Sequence, residues 1–459
     1  MNDLTPALTL RSLDVDVVQP GTAVRRGRTP CEIETHVRFD TSALESFASR
    51  NWRPDVYDAL LVAAAVEFCD RKLTRHAHAW GRSFKVRVPV HSPALWNSRG
   101  VSQSLISALE LVTGDAWSFE FVERAPATQS VQQTRMEFPR DVGSVIAYSD
   151  GMDSRAVAGI EERQLGDRLV RVRVGKKLSD IRGNDHRKRP FARIPYRVLL
   201  HANNGETSAR SRGFKFGLVA GVAAFLVDAP EVIVPESGQG ALAPVMIPVG
   251  QGHPDYRNHP VFTTKIAKLI GAIFGHEVTY RFPRLWHTKA QTLRKYVDLH
   301  GDRAAWQDTR SCWQQARQVS VAHVWRQCGI CAACMLRRMS VHAAGLTEAR
   351  DIYVWEDLGV SDFTSGAAGS FGGRNRNSLR EYALAGALHL DDFAALDGSA
   401  EGELIVRRAQ GEVSRATGIA VAEAADGLRA LIKQHNKEWT SFSESLGDSS
   451  FVNSWTDRS

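Results

Sequence analysis

Two clusters in the 459-residue sequence combine residue types and spacing that chemistry requires. The first is Cys312-x15-Cys328-x2-Cys331-x2-Cys334, which gathers four of the six cysteines into 23 residues. Two C-x-x-C steps let one turn of chain wrap an ion, and the more distant thiolate closes a tetrahedron. Four thiolates with no open position describe a structural Zn2+ site, with an iron–sulfur cluster as the rival. The second is Ser149-Asp-Gly-Met-Asp-Ser154, directly after the apolar run Ser144–Tyr148. Small residues in a strand-to-helix turn let backbone N–H groups converge on an anion, and the helix adds its positive N-terminus. Ser149 and Ser154 can donate to phosphate oxygens, and Asp153 can hold Mg2+ or cap the helix. The competing reading is a plain turn with Asp153 or Ser154 as N-cap.

The elements that must position these residues are legible from apolar periodicity. Up to about residue 140, strand patterns (8–18, 84–90, 119–122) mix with helix patterns (55–70, 102–112) and carry no catalytic signature. From Ser144 the grammar becomes strand, helix, strand: 144–148, 155–164, 169–174, 194–200, 214–227 and 231–235. That alternation predicts a parallel sheet with crossover helices. The run Leu218–Val227 ends at Asp228 and reads as a buried helix, too short to span a bilayer. The last 110 residues are mainly helical in pattern, for example 378–389 and 414–433. A Gly/Ser-rich stretch at 365–373 predicts a flexible loop, and the polar tail after Trp439 predicts fraying. The expected domains are an N-terminal α+β extension (1–140), an α/β domain (141–346, with the metal module 312–334) and a helical C-terminal extension (347–459).

Composition narrows the class. Apolar residues make up 43% and charged residues 24%, which is ordinary globular usage and excludes a disordered chain or a fibre. With 58 Lys+Arg against 51 Asp+Glu the net charge is +7, compatible with anionic ligands and weak as a nucleic-acid signal. The basic stretch Arg182–Arg189 could contact RNA phosphates but reads first as a solvated loop. Six cysteines are too few for a disulfide-built secreted domain, and the first residues lack a signal-peptide pattern, so a cytoplasmic, membrane-free protein is expected. Cys31 and Cys69 stand alone, Cys69 on a helix face as core.

The turn 149–154 resembles the SGGxDS pyrophosphate loop of the PP-loop (N-type) ATP pyrophosphatases, with Asp150 in place of a glycine. Cys328-Gly-Ile-Cys-Ala-Ala-Cys-Met-Leu-Arg-Arg338, with His342-Ala-Ala-Gly-Leu346 after it, resembles the corresponding segment of 7-cyano-7-deazaguanine synthases, the QueC family. Arg212-Gly-Phe-Lys-Phe216 and Gly252-His-Pro-Asp-Tyr-Arg-Asn-His-Pro-Val-Phe262 resemble two further QueC segments. The likeness covers roughly 144–346, and the enlarged chain looks most like the QueC-like component (QatC) of the Qat antiphage defence systems.

The resemblance implies a PP-loop fold and an ATP-dependent enzyme that adenylates a 7-deazaguanine carboxylate and releases pyrophosphate. Tyr148, Ser149, Asp150, Gly151, Met152, Asp153 and Ser154 would bind ATP, with Ser149, Asp153 and Ser154 catalytic. Arg212 and Arg257 would pair with carboxylate or phosphate, Asp255 with a guanine-like base, and Glu236 with a base edge or a metal. Asp150 would either repel the pyrophosphate or help to hold a metal. The expected cofactors are structural Zn2+, ATP and Mg2+. The acceptor would be an amine, the N-terminus of a partner protein from the same operon. Free nitrile synthesis is the alternative within enzymes. A degenerate PP-loop scaffold or nucleic-acid-binding protein is the alternative outside them.

Overall fold

The computed structural model describes residues 10–41, 52–76, 79–124, 141–149, 151–175, 191–194, 196–200, 205–208, 210–250, 252–372 and 376–456. The chain forms two compact bodies. The first comprises residues 1–149, 161–234 and 248–282, and the second 150–160, 235–247 and 283–459.

Among its described residues the first body contains two larger sheets and an antiparallel pair, Val37–Phe39 with Tyr196–Val198, so the strand expected at 194–200 is divided between two sheets. Its five-stranded sheet runs Thr279–Arg281, Glu231–Ile233, Ser144–Ala147, Leu169–Val174, Phe191–Ile194 in spatial order, and every neighbouring pair is parallel. These strands are apolar runs because both faces are covered. Val145, Ile146, Val170, Val172, Val232 and Ile233 are all buried. The order is that of a doubly wound sheet, with the first strand, Ser144–Ala147, at the centre. The second sheet comes from the N-terminal segment: Thr29–Glu32, Arg11–Val18, Arg82–Val90, Ala116–Glu123. All its pairings are parallel as well. The N-terminal segment is therefore layered α/β, not α+β with strands and helices set apart. Its strands are separated by helices or long connections, which leaves no tight hairpin to make them antiparallel.

Helices fill the space between the sheets. Pro54–Lys72 and Arg99–Thr113 pack on the N-terminal sheet, and Ser211–Val227 and Pro260–Phe274 on the five-stranded one. Pro54–Lys72 meets Ser211–Val227, and Arg99–Thr113 meets Pro260–Phe274. One continuous apolar core results, and Cys31 and Cys69 are part of it. A buried arginine fastens this layer. Arg82 is fully buried and donates to Asp70 at 2.6 Å and to Asp115 at 2.7 Å.

The second body is mainly helical: Lys289–His300, Ala332–Ala343, Arg376–Ala395, Ala400–Thr417 and Val421–Leu446. Trp355, Trp439, Phe451 and three of the clustered cysteines share its core. Three expectations for this region are corrected. The helical pattern at 414–433 is broken by Gly418, whose φ of 77° is a left-handed C-cap that ends one helix before the next begins. The tail does not fray: Phe451 and Val452 are buried, Ser450 Oγ donates to Leu358 O at 2.8 Å, and Asn453 Nδ2 donates to Ser443 O at 3.0 Å. Polar composition concealed that apolar pair and the local hydrogen bonds of its serines. The stretch 365–372 is likewise built in, with Ala368 N on Val354 O at 2.8 Å and Phe371 buried. Among the described residues no helix is long and apolar enough to cross a membrane.

Candidate active site and metal centre

In a doubly wound parallel sheet, ligands bind beyond the carboxyl ends of the strands where the strand order reverses. Here that point lies between Ser144–Ala147 and Glu231–Ile233. The segment Tyr148–Ser154 follows the first of these strands, and Glu236 follows the second. Tyr148 completes its strand, with its N–H on Val172 O at 2.8 Å, and is buried under the Arg171 guanidinium. Ser149 is exposed. Asp150 lies outside the described residues, as does the basic stretch Arg182–Arg189.

The helix Met152–Leu165 starts immediately after Gly151. Met152 is a core residue beside Leu293, Tyr296 and Trp306, so its backbone is what it offers to a ligand. Ser154 is buried. Asp153, in the first turn, has its Oδ2 in a charge-assisted hydrogen bond with the ammonium of Lys289. Its Oδ1 is buried with no partner. A half-buried carboxylate with one oxygen neutralised and the other open is the donor type a hard cation takes.

Sequence reading missed Lys289. It lies 136 residues from Asp153, and no local spacing links them. The structure fixes it by its backbone. Thr288 and Gln291 form a reciprocal capping box at the start of Lys289–His300. Lys289 N donates to Gln239 Oε1 at 2.8 Å, and Gln239 Nε2 lies 2.8 Å from His435 Nδ1. Thr288 Oγ1 donates to Glu438 Oε1 at 2.6 Å. The C-terminal helix Val421–Leu446 thus braces the helix end that carries Lys289. Glu236 is half-buried in the same body, its carboxylate against Gly240, where any Cβ would collide with it.

Arg212, Asp255 and Arg257 belong to the first body. Arg257 donates to Asp255 through Nε at 2.9 Å and Nη2 at 2.5 Å, and Arg210, also missed, pairs with Asp255 at 2.8 Å. Burial would raise the Asp255 pKa, but Arg257 and then Arg210 overcome this and hold it at about 2. Asp255 is therefore a carboxylate that orients two guanidiniums. Burial, followed by the charge of Arg257, lowers the proton affinity of Arg212. Gly213 permits the close approach: a Cβ there would lie 2.8 Å from the Arg257 Cα. The N-terminal segment positions this cluster. Asp70 Oδ2 accepts from Ser211 N at 2.8 Å, at the start of the helix that bears Arg212. Trp80 stacks near both Arg210 and His253, and His253 Nε2 lies 2.8 Å from Leu111 O.

His259 closes the same segment. It is 3% exposed, and its Nδ1 caps the helix Pro260–Phe274 by accepting from Val261 N at 3.3 Å. Burial lowers its pKa from 6.5 to about 4. The fold holds the neutral ring, so its stability is intact above pH 6.5 and declines as pH falls toward about 4, where the unfolded chain binds the extra proton. The expected loss is about 3 kcal/mol. His259→Asn keeps a capping acceptor and removes the titration. Urea unfolding of both proteins across this range should show a gap that narrows with acid, and a constant gap would contradict the assignment.

The four cysteines converge in the second body. The Sγ atoms of Cys312, Cys328, Cys331 and Cys334 all lie within 4.8 Å of one another. A tetrahedral Zn2+ with bonds of ~2.3 Å needs sulfurs roughly 3.8 Å apart, so the set fits a single ion. Cys328 N donates to Cys312 Sγ at 3.1 Å, and Cys331 N to Cys328 Sγ at 3.3 Å. Such N–H groups and the N-terminus of Ala332–Ala343, capped by Cys331, favour thiolates. Hydrogen bonds from the neighbouring thiols push the Cys312 thiol far below its usual range, while burial pushes Cys328 and Cys334 well above theirs. Four sulfurs would fill every position of a tetrahedral ion.

Comparison with known proteins bears on the middle of the chain. No solved structure matches it. The 7-cyano-7-deazaguanine synthase of Lawsonia intracellularis (strain PHE/MN1-00) is 33% identical over 91 residues, 19% of this chain and 37% of that protein. Residues 247–345 match the family described as queuosine biosynthesis protein QueC. That stretch holds Asp255, Arg257, Lys289 and all four clustered cysteines, and does not reach Ser149–Ser154, Arg212 or Glu236. Over residues 247–345 the chain is QueC-like.

Proposed function

We propose that this protein is an ATP-dependent enzyme that activates a 7-deazaguanine carboxylate and joins it to an amine. The observation that carries the reading is the QueC-like stretch 247–345, which includes the complete cysteine set. Further support comes from the loop Ser149–Ser154 after the central strand of a doubly wound sheet.

In this reading the substrate carboxylate oxygen attacks the α-phosphorus of ATP. The bond to the β-phosphate oxygen breaks and pyrophosphate leaves. An amine nitrogen then attacks the acyl carbon, AMP departs with the carboxylate oxygen, and the nitrogen loses a proton to give an amide. Backbone N–H groups of Ser149, Gly151 and Met152 cradle the departing pyrophosphate, with the Ser149 and Ser154 hydroxyls as donors. Lys289 neutralises charge on that side, and Asp153 Oδ1 is available to Mg2+, which would screen the phosphates. Arg212 and Arg257, held by Asp255 and Arg210, fix carboxylate or phosphate by bidentate contact. Glu236 reads a base edge. Zn2+ on Cys312, Cys328, Cys331 and Cys334 supplies stability only.

Residues 1–140 and 347–459 lie outside the QueC-like stretch, and in this proposal they serve the amine acceptor, the N-terminus of an operon partner in antiphage defence. The compartment is then the cytoplasm, where ATP and reduced thiols are available. Intact-mass spectrometry of the partner co-expressed with this chain tests the idea. An added deazaguanine acyl mass at the N-terminus is expected. An unmodified partner together with free 7-cyano-7-deazaguanine would favour nitrile synthesis and sink the conjugation reading.

A further inference from the structure

A cavity of about 560 Å³ opens in the second body, a volume within the range of small-molecule sites. Arg294 and Lys295 line it from the helix Lys289–His300, Gln434 and Glu438 from Val421–Leu446, and Arg284 and His287 from the segment before Thr288. Among the described residues, neither Asp153 nor Lys289 lines it.

Two of its lining residues carry a buried polar atom without a partner: Oε2 of Glu438 and Nδ1 of His287. Glu438 is 4% exposed. Its Oε1 accepts from Thr288 Oγ1 at 2.6 Å and from Gln434 Nε2 at 2.9 Å. Burial raises its pKa despite those bonds and the charge of Lys437. Both of these donors lie on Oε1, which leaves Oε2 open to a further bond. Burial, then Arg284 and Lys295, lower the His287 pKa to about 4, so its ring is neutral. The neutral ring offers one N–H. Arg294 is anchored by Asp298 at 3.0 Å and by Ala344 O at 3.0 Å, which aligns its guanidinium. Three cations, Arg284, Arg294 and Lys295, thus line the cavity together with the carboxyl groups of Asp298 and Glu438, and the unpartnered atoms of Glu438 and His287 are set among them.

We infer that this cavity is an oxyanion site, distinct from the Ser149–Ser154 loop, that takes the charged end of a small phosphate-bearing molecule. The cavity is much larger than a phosphate ion, so the anion is one part of its ligand. The occupant would bond to Glu438, whose other oxygen holds Thr288, the cap of the helix that carries Lys289. The inference stands on the cavity alone and does not require the proposed reaction.

Equilibrium dialysis of the full chain against labelled inorganic phosphate tests it, with acetate as competitor. Saturable binding is expected, weakened about tenfold or more by Lys295→Glu and by Arg294→Gln, both surface changes that spare the fold. Glu438→Gln, a neutral isostere whose amide donates, should retain binding. The double change Ser149→Ala with Asp153→Ala should leave this site unaffected. Absence of saturable binding overturns the inference. So does binding that survives Lys295→Glu but disappears with the loop changes, or is lost in Glu438→Gln. Equal displacement by acetate would reassign the cavity to carboxylates, and resistance to acetate supports phosphate.

Discussion

Cys331→Ser should leave the protein without stoichiometric zinc and lower its melting temperature by about 10–20 °C. Cys331 is buried, caps the helix Ala332–Ala343, and lies with the other three sulfurs inside 4.8 Å. A hydroxyl at this position is neutral and hard, and three thiolates no longer close the tetrahedron. Metal binding at such sites is coupled to folding, with apparent free energies of about 10–16 kcal/mol in small zinc peptides. A loss of even about 5 kcal/mol in a body of this size accounts for the shift. The damage should begin in the second body, because Cys328, Cys331 and Cys334 share its core with Trp355 and Trp439. Limited proteolysis should cut first near residues 312–343. Cys69→Ala, in the first body, should keep full zinc content by elemental analysis. Unchanged zinc in Cys331→Ser would contradict the four-sulfur site, and a coloured, sulfide-containing protein would replace zinc with an iron–sulfur cluster.

Asp153→Ala should abolish pyrophosphate release and cost about 3–5 kcal/mol of stability, since it strands the buried Lys289 ammonium without its counter-ion. Lys289→Ala should cost similar stability, because it leaves the Asp153 carboxylate charged beside an oxygen that already lacks a partner. The pair therefore needs a readout that separates chemistry from folding. Asp153→Asn keeps the shape and an oxygen that can accept from Lys289. If Asp153 serves the phosphates, this variant should remain folded by circular dichroism while kcat falls about a hundredfold or more, the scale at which charge stabilisation in active sites is lost. Asp153→Asn with wild-type kcat would remove Asp153 from the site.

Local features were legible in the sequence, and those made by distant chain segments were not. The succession of strand Ser144–Ala147, helix Met152–Leu165 and strand Leu169–Val174 announced a parallel sheet, because strand patterns there alternate with a helix pattern. The cysteine set was legible because its ligands are clustered and two of its steps are C-x-x-C. Lys289 was not: its role depends on an ion pair across 136 residues. Asp70 looked like one more polar position on an apolar helix. Only the fold brings it to Ser211 and Arg82. The parallel pairing of the N-terminal strands was hidden for the same reason, since alternation along a strand carries no information on the direction of its neighbour.

The central claim is that this chain activates a 7-deazaguanine carboxylate with ATP. The most direct measurement is pyrophosphate release by the purified full chain with ATP and Mg2+, with and without 7-carboxy-7-deazaguanine. The account predicts release that depends on that carboxylate, yields AMP in equal amount once an amine is supplied, and vanishes in Asp153→Ala. Pyrophosphate release indifferent to the carboxylate, or none in zinc-replete folded protein, would contradict it.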